Sequence, residues 1–175
     1  MTSPRQIAAT FVRSLTGAFF QVALTAWVGM LWTVGYLVVP ALFRYLPDRT
    51  LAGQMAGHLF CLSGWLGLIL GGYVLVNLVL RHRSRSLRRL TFWLAALMLI
   101  LTAVSLFGIQ PFMQYLKEIA LPAEVMQSPQ RDRFVTWHGI SSSLYLLQSL
   151  LALGLLLLLP GDGREASAKA DPHDS

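Results

Sequence analysis

The side chains in this sequence best suited to holding a transition metal are His58, His138 and Cys61. An imidazole nitrogen ligates haem iron or copper, and Cys61, one helical turn beyond His58, would be a soft third donor. A pair of imidazoles from two helices would hold one haem b or one copper ion. Trp32, Tyr36, Trp65 and Tyr145 would then wall the pocket, with Ser141 and Ser142 beside His138. The plainer reading needs no cofactor. Each histidine anchors a helix end by bonding to backbone or serine, and the lone cysteine simply packs.

Other chemistries find no residues. The sequence has no paired-carboxylate site, no Cys-x-x-Cys, no phosphate-cradling glycine loop and no Gly-x-Ser-x-Gly elbow. Ser141-Ser142-Ser143 lies near His138, but no acid is at hand to orient the imidazole as a serine nucleophile requires. A single cysteine permits no internal disulfide.

The elements that must position these residues are set by where charge is missing. No formally charged residue lies between Arg13 and Arg44, Arg49 and Arg81, Arg89 and Lys117, or Arg133 and Asp162. Each interval exceeds the roughly 20 apolar residues that cross a hydrocarbon core of about 30 Å. A soluble core helix would show a polar face, and these stretches are apolar all round. With 55% hydrophobic and only 13% charged residues, the composition agrees. The expectation is an all-α membrane protein, an antiparallel four-helix transmembrane bundle with spans at about 15–43, 51–80, 90–112 and 134–159. The first apolar run is too long for the core of a cleaved signal and should be retained.

Orientation follows from the basic loop carrying Arg81, Arg83, Arg85, Arg88 and Arg89. As a positive-inside anchor it places that loop in the cytoplasm, and with it the segment 1–14 and the tail 161–175. Nine of the 14 Lys and Arg are then cytoplasmic. The net charge of +6 therefore reads as a topology signal with affinity for anionic headgroups, and no nucleic-acid partner is implied. The small, polar tail reads as disordered. An inner, cytoplasmic-type membrane is the natural home, since outer-membrane spans are strands.

Punctuation marks the helix ends. Pro40 should disturb the end of span one, and Gln110-Pro111 that of span three. Asp48 or Thr50 can cap span two. Ser128-Pro129 has the order of a helix start. Met113–Gln127 is expected to hold a short interfacial helix with Phe112, Tyr115 and Leu116 facing lipid.

In lipid, small and polar residues mark helix contacts. In span two Gly53, Gly57, Gly64, Gly67 and Gly71 share a strip roughly 80° wide at 100° per residue, and Gln54, His58, Cys61 and Trp65 lie on the neighbouring strip. His138, Ser141, Ser142, Tyr145, Gln148, Ser149 and Ala152 share a face of span four. Span three offers Thr91, Ala95, Met98, Thr102 and Ser105, and span one offers Gln21, Thr25, Trp32 and Tyr36. These faces are expected to look inward.

The first hairpin carries a recognisable pattern: Trp27-Val28-Gly29, then Leu42-Phe43-Arg44, Leu46-Pro47, Thr50 and Gly53, then Leu59-Phe60. It resembles the transmembrane-protein-205-like family, whose bacterial members carry a domain of unknown function, over roughly Phe19 to Tyr115. The His138-Gly139-Ile140-Ser141 stretch is similar to the last span of those bacterial members. Cys61 departs from animal relatives, which tend to have proline after the Leu-Phe pair. The resemblance implies a small multi-span protein and brings no catalytic residues. The four-span layout with histidines is also similar, at the level of fold, to copper-resistance D-type proteins and membrane-bound protoporphyrinogen oxidases.

The function expected first is a non-enzymatic structural or accessory bundle that binds lipid, another membrane protein or a second copy of itself. A haem- or copper-binding redox protein using His58 and His138 is the alternative. A small-molecule transporter or channel subunit, with a polar path of Gln21, Thr25, Asn77 and Gln148, is the third.

Overall fold

The computed structural model describes residues 4–82, 90–120 and 125–159, with side chains from residue 15 to 80 in the first of these. The arginines at 83, 85, 88 and 89 and the tail 161–175 lie outside the described residues, and Arg81 is described only as backbone of its helix. Every element is helical, and no strand occurs among the described residues. The helices are α1 (Pro4–Thr33), α2 (Val39–Tyr45), α3 (Arg49–His82), α4 (Leu90–Val104), α5 (Gln110–Glu118) and α6 (Arg131–Leu158). Four continuous stretches are long and apolar enough to cross a membrane: Leu15–Tyr45, Arg49–Leu80, Leu90–Glu118 and Arg131–Leu158. No more than 28% of the most apolar window of any span is buried within the protein, so most of the apolar surface needs lipid to cover it.

Two prolines shape the spans in the same way. A proline cannot donate to the carbonyl four residues back and its ring crowds that carbonyl. Just before Pro40 the chain takes a π turn, Val34–Val38, in which the Val39 amide donates to the Val34 carbonyl. Just before Pro111 a second π turn, Ser105–Ile109, lets the Gln110 amide donate to Ser105. Each turn inserts one residue and lets the helix run on as α2 or α5. Laying Pro40 over Pro111 in the sequence also lays Trp27 over Met98, and these are the two largest fully buried side chains among the described residues.

Polar residues close the shorter connections. Leu46, before Pro47, is extended and ends α2. The Asp48 carboxylate then accepts from the Thr50 and Leu51 amides at 2.8 and 3.2 Å, capping α3. Ser128 donates to the Val125 carbonyl and accepts from the Gln130 amide, which folds the turn before α6. The segment after Pro111 differs from expectation. It is not a separate interfacial helix but the continuation of α4 through the π turn, and Leu116 is buried where a lipid-facing position was expected. Phe112 turns toward α6 instead, 4.9 Å from the Trp137 ring.

Packing runs in chain order: α1 on α3, α3 on α4, α4 on α6, with only sparse contact along the α1–α6 seam. The dry core lies in one half, where Phe20, Leu24, Trp27 and Val28 of α1 meet Val74 and Leu78, Ala95 and Met98, and Ala152 and Leu155. The glycine strip of α3 makes room for it. A Cβ at Gly71 would fall 2.6 Å from the Trp27 ring, and one at Gly64 would fall 3.0 Å from Leu106.

Span one turns a different face inward from the one its polar residues mark. Gln21 and Thr25 are exposed, as are Trp32 and Tyr36. The large flat Trp27 ring packs against a surface without Cβ atoms, which α3 offers at Gly67 and, most tightly, at Gly71. Close packing of that kind fixes helix rotation in lipid, where no hydrophobic force between helices competes with it.

Candidate functional site

Above the dry core the interior becomes polar. Gln148 of α6 and Thr102 of α4 are both buried, and Gln148 Nε2 donates to Thr102 Oγ1 at 2.7 Å. Thr102 spends its own proton on the Met98 carbonyl at 2.9 Å. Its oxygen can therefore only accept, which fixes the amide: nitrogen toward Thr102, Oε1 turned away. Such a bond between spans contributes about 0.6–2 kcal/mol in a membrane.

The α1–α6 seam is closed by two tyrosines working in opposite directions. Tyr36, on the first π turn, donates its hydroxyl to Ser149 Oγ at 2.9 Å, and Ser149 donates onward to the Tyr145 carbonyl at 2.9 Å. Tyr145 reaches back from α6 and donates to the Leu31 carbonyl of α1. Its ring lies edge-on to Tyr36 at 6.2 Å and to Phe60 of α3 at 5.4 Å. Gly35 is what admits that ring, since a Cβ there would overlap it.

Between these two groups lies a cavity of about 50 Å³ to which all four spans contribute. Trp27, Met30 and Leu31 form its α1 wall, and Phe60, Ser63, Gly64 and Gly67 its α3 wall. Thr102, Ser105, Leu106 and Gln110 come from the third span, and Ser141, Tyr145 and Gln148 from α6. No lining residue carries a formal charge. Such a wall suits a neutral occupant.

The metal-ligand candidates sit elsewhere. His58 is exposed on α3, its Nδ1 within 3.0 Å of the Gln54 carbonyl of the same helix. His138 is exposed on α6 and stacks on Phe134, with ring centroids 6.0 Å apart. Cys61 is exposed and unpaired. Among the described residues no three His, Cys, Asp or Glu side chains gather closely enough to hold a metal ion. Of the pocket candidates, Ser141 and Tyr145 line the cavity, whereas Trp32, Trp65 and Ser142 lie outside it. Tyr36 bonds along the seam without lining it. Trp65 pairs edge-on with Phe107 on the outer surface at 5.5 Å. The glycine strip contributes Gly64 and Gly67 to the wall.

A family model described as a domain of unknown function (DUF4149) matches residues 22–121. The chain belongs to this DUF4149 family. The DUF4149 region ends before α6, so Ser141, Tyr145, Gln148 and Ser149 come from beyond it, while their partners Leu31, Tyr36 and Thr102 lie within it. No curated protein and no solved structure matches the chain.

Sequence reasoning passed over Lys117, which belongs to the other end of the glycine strip. Its Nζ donates to the Gly53 carbonyl at 3.1 Å and stands 5.9 Å from the centre of the Phe134 ring. A Cβ at Gly57 would be 3.8 Å from the same nitrogen. Lys117 thereby ties α5 to α3 and α6. Trp27 reads in sequence as a core or interface aromatic and is buried in the core, but nothing in its spacing marks the cavity that it also lines. Gln148 and Thr102 carried a usable signal: each is a polar group deep in an uncharged span, and each needs a partner there.

Proposed function

We propose that this DUF4149 protein is a non-catalytic, multi-pass accessory bundle of the cytoplasmic membrane that works through its outer surface, binding lipid or another membrane protein. Within this reading the helices run antiparallel and both termini are cytoplasmic. Two observations support the layout. Phe43, Gly53, Lys117 and Phe134 meet at one end, as antiparallel neighbours would require. The sequence puts the basic stretch Arg81–Arg89 between the second and third spans, where a cytoplasmic loop would carry its positive charge.

The observation that carries the functional reading is how the interior polar groups are used. Tyr36, Tyr145, Ser149, Thr102 and Gln148 are engaged in holding one helix to another, through hydroxyl and carbonyl partners that carry no formal charge. The likeness to the transmembrane-protein-205-like family, noted on the first hairpin, agrees with a small multi-span protein of this kind. The full chain purified in mild detergent should be colourless and should carry co-purifying phospholipid or a membrane partner in native mass spectrometry. A stoichiometric Soret band or stoichiometric copper would overturn the proposal.

One detail supports the redox alternative. The Gln54 carbonyl accepts from His58 Nδ1, which leaves the Nε2 lone pair of His58 available to a metal, as second-shell bonds to ligating histidines do. On that reading, replacing His58 or His138 by alanine abolishes a visible absorption band that the unaltered chain shows.

A further inference from the structure

Two residues that line the cavity each carry a buried polar atom without a partner among the described residues. The indole of Trp27 is 1% exposed, and its N–H meets no acceptor among the described residues. Gln148 is 7% exposed, and the fixed orientation of its amide leaves Oε1 without a donor among the described residues. One is a donor, the other an acceptor, and both residues line the same cavity, Trp27 from α1 and Gln148 from α6.

Gly67 links them in space. A Cβ built there would lie 3.3 Å from Trp27 Nε1 and 3.5 Å from Thr102 Cγ2. The absent side chain thus keeps open the space between the indole N–H and the threonine that holds Gln148. Buried polar groups in a membrane interior are costly unless hydrogen-bonded. Serine, glutamine and tyrosine side chains elsewhere on the wall supply further donors and acceptors, and none supplies a charge. A volume of about 50 Å³ excludes a drug-sized or lipid-sized occupant and is enough for roughly three to five waters at ~10–15 Å³ each.

From this we infer that the cavity is a binding site for a small cluster of water molecules, accepting from Trp27 Nε1, donating to Gln148 Oε1 and bridging α1 to α6 inside the membrane. The site is independent of what the outer surface binds.

Hydroxyl-radical footprinting of the full chain in ¹⁸O-labelled water, in detergent or nanodiscs, tests this. Radicals form where water is, so a buried side chain beside bound water is oxidised and a dry one is not. Met98 is the internal control, being intrinsically reactive, 0% exposed and absent from the cavity wall. Trp27 should be oxidised at least about fivefold faster than Met98. Oxidation of Trp27 at or below the Met98 rate overturns the inference without any variant. Gly67→Ala places a methyl in the space beside Nε1 and should lower Trp27 oxidation about threefold or more. A folded Gly67→Ala protein with unchanged Trp27 oxidation also overturns it.

Discussion

Tyr36 and Tyr145 fasten one seam from opposite sides: Tyr36 of span one donates to α6 through Ser149, and Tyr145 of α6 donates to the Leu31 carbonyl of α1. Elsewhere neighbouring helices pack side by side along the chain order, but α1 and α6 touch sparsely. The closure of the ring of helices therefore rests more on directed bonds than on buried area.

Removing either hydroxyl should loosen that seam with little change in shape. Tyr36→Phe and Tyr145→Phe are each expected to lower stability by about 0.6–2 kcal/mol, read by thermal or denaturant unfolding in micelles. Tyr36→Phe combined with Ser149→Ala should cost less than the two separately, because both remove the same bond. Full additivity would show that the bond contributes nothing.

Gln148 and Thr102 should behave as a unit. Thr102→Val alone strands the buried Gln148 amide and should cost about 1–3 kcal/mol, whereas Gln148→Leu leaves Thr102 bonded to the Met98 carbonyl and should cost less. The double substitution should cost clearly less than the sum. A double-mutant cycle in the same unfolding assay measures the difference.

Gly71 should tolerate no side chain while Trp27 is present. Alanine there would meet the six-membered ring at 2.6 Å, and nothing in that dry core can give way cheaply. Gly71→Ala is expected to destabilise by about 1–3 kcal/mol, as overpacking does. A smaller residue at 27, such as Trp27→Leu, should recover part of the loss, whereas Trp27→Leu alone should only destabilise.

Lys117→Met should weaken the end of the bundle where α5 meets α3. It removes a charge-assisted bond to the Gly53 carbonyl and a cation above Phe134, about 1–3 kcal/mol together at a half-buried site. Faster amide exchange in the first turns of α3 after the substitution would localise the effect. No change there would show that the lysine is ornamental.

The four long apolar helices were legible because lipid allows an uncharged stretch of that length only one regular form. The glycine strip of α3 and the cap by Asp48 were legible for equally local reasons: missing Cβ atoms and a carboxylate placed before free amides. Rotation of α1 was not. Gln21 and Thr25 suggested one inward face, but the fit of Trp27 against Gly67 and Gly71 set another, and that fit depends on two helices at once. The central cavity was half legible. Ser141 and Tyr145 stand out on their helix as polar residues, while Trp27, Ser63 and Gln110 join them only once four helices are assembled. His58, Cys61 and His138 stood out by residue type, and type alone says nothing of which neighbours a side chain will find.

The extra residue before each proline makes spans one and three sensitive to length. Deleting one residue from Val34–Val38 would restore ordinary helical bonding, yet it would swing everything from Val39 to Tyr45 about 100° around the axis and draw it in by about 1.5 Å. Phe43 would lose its place beside Gly53. Exchanges of one apolar residue for another on the lipid side should be borne easily at these positions, whereas a single-codon deletion in either span should not.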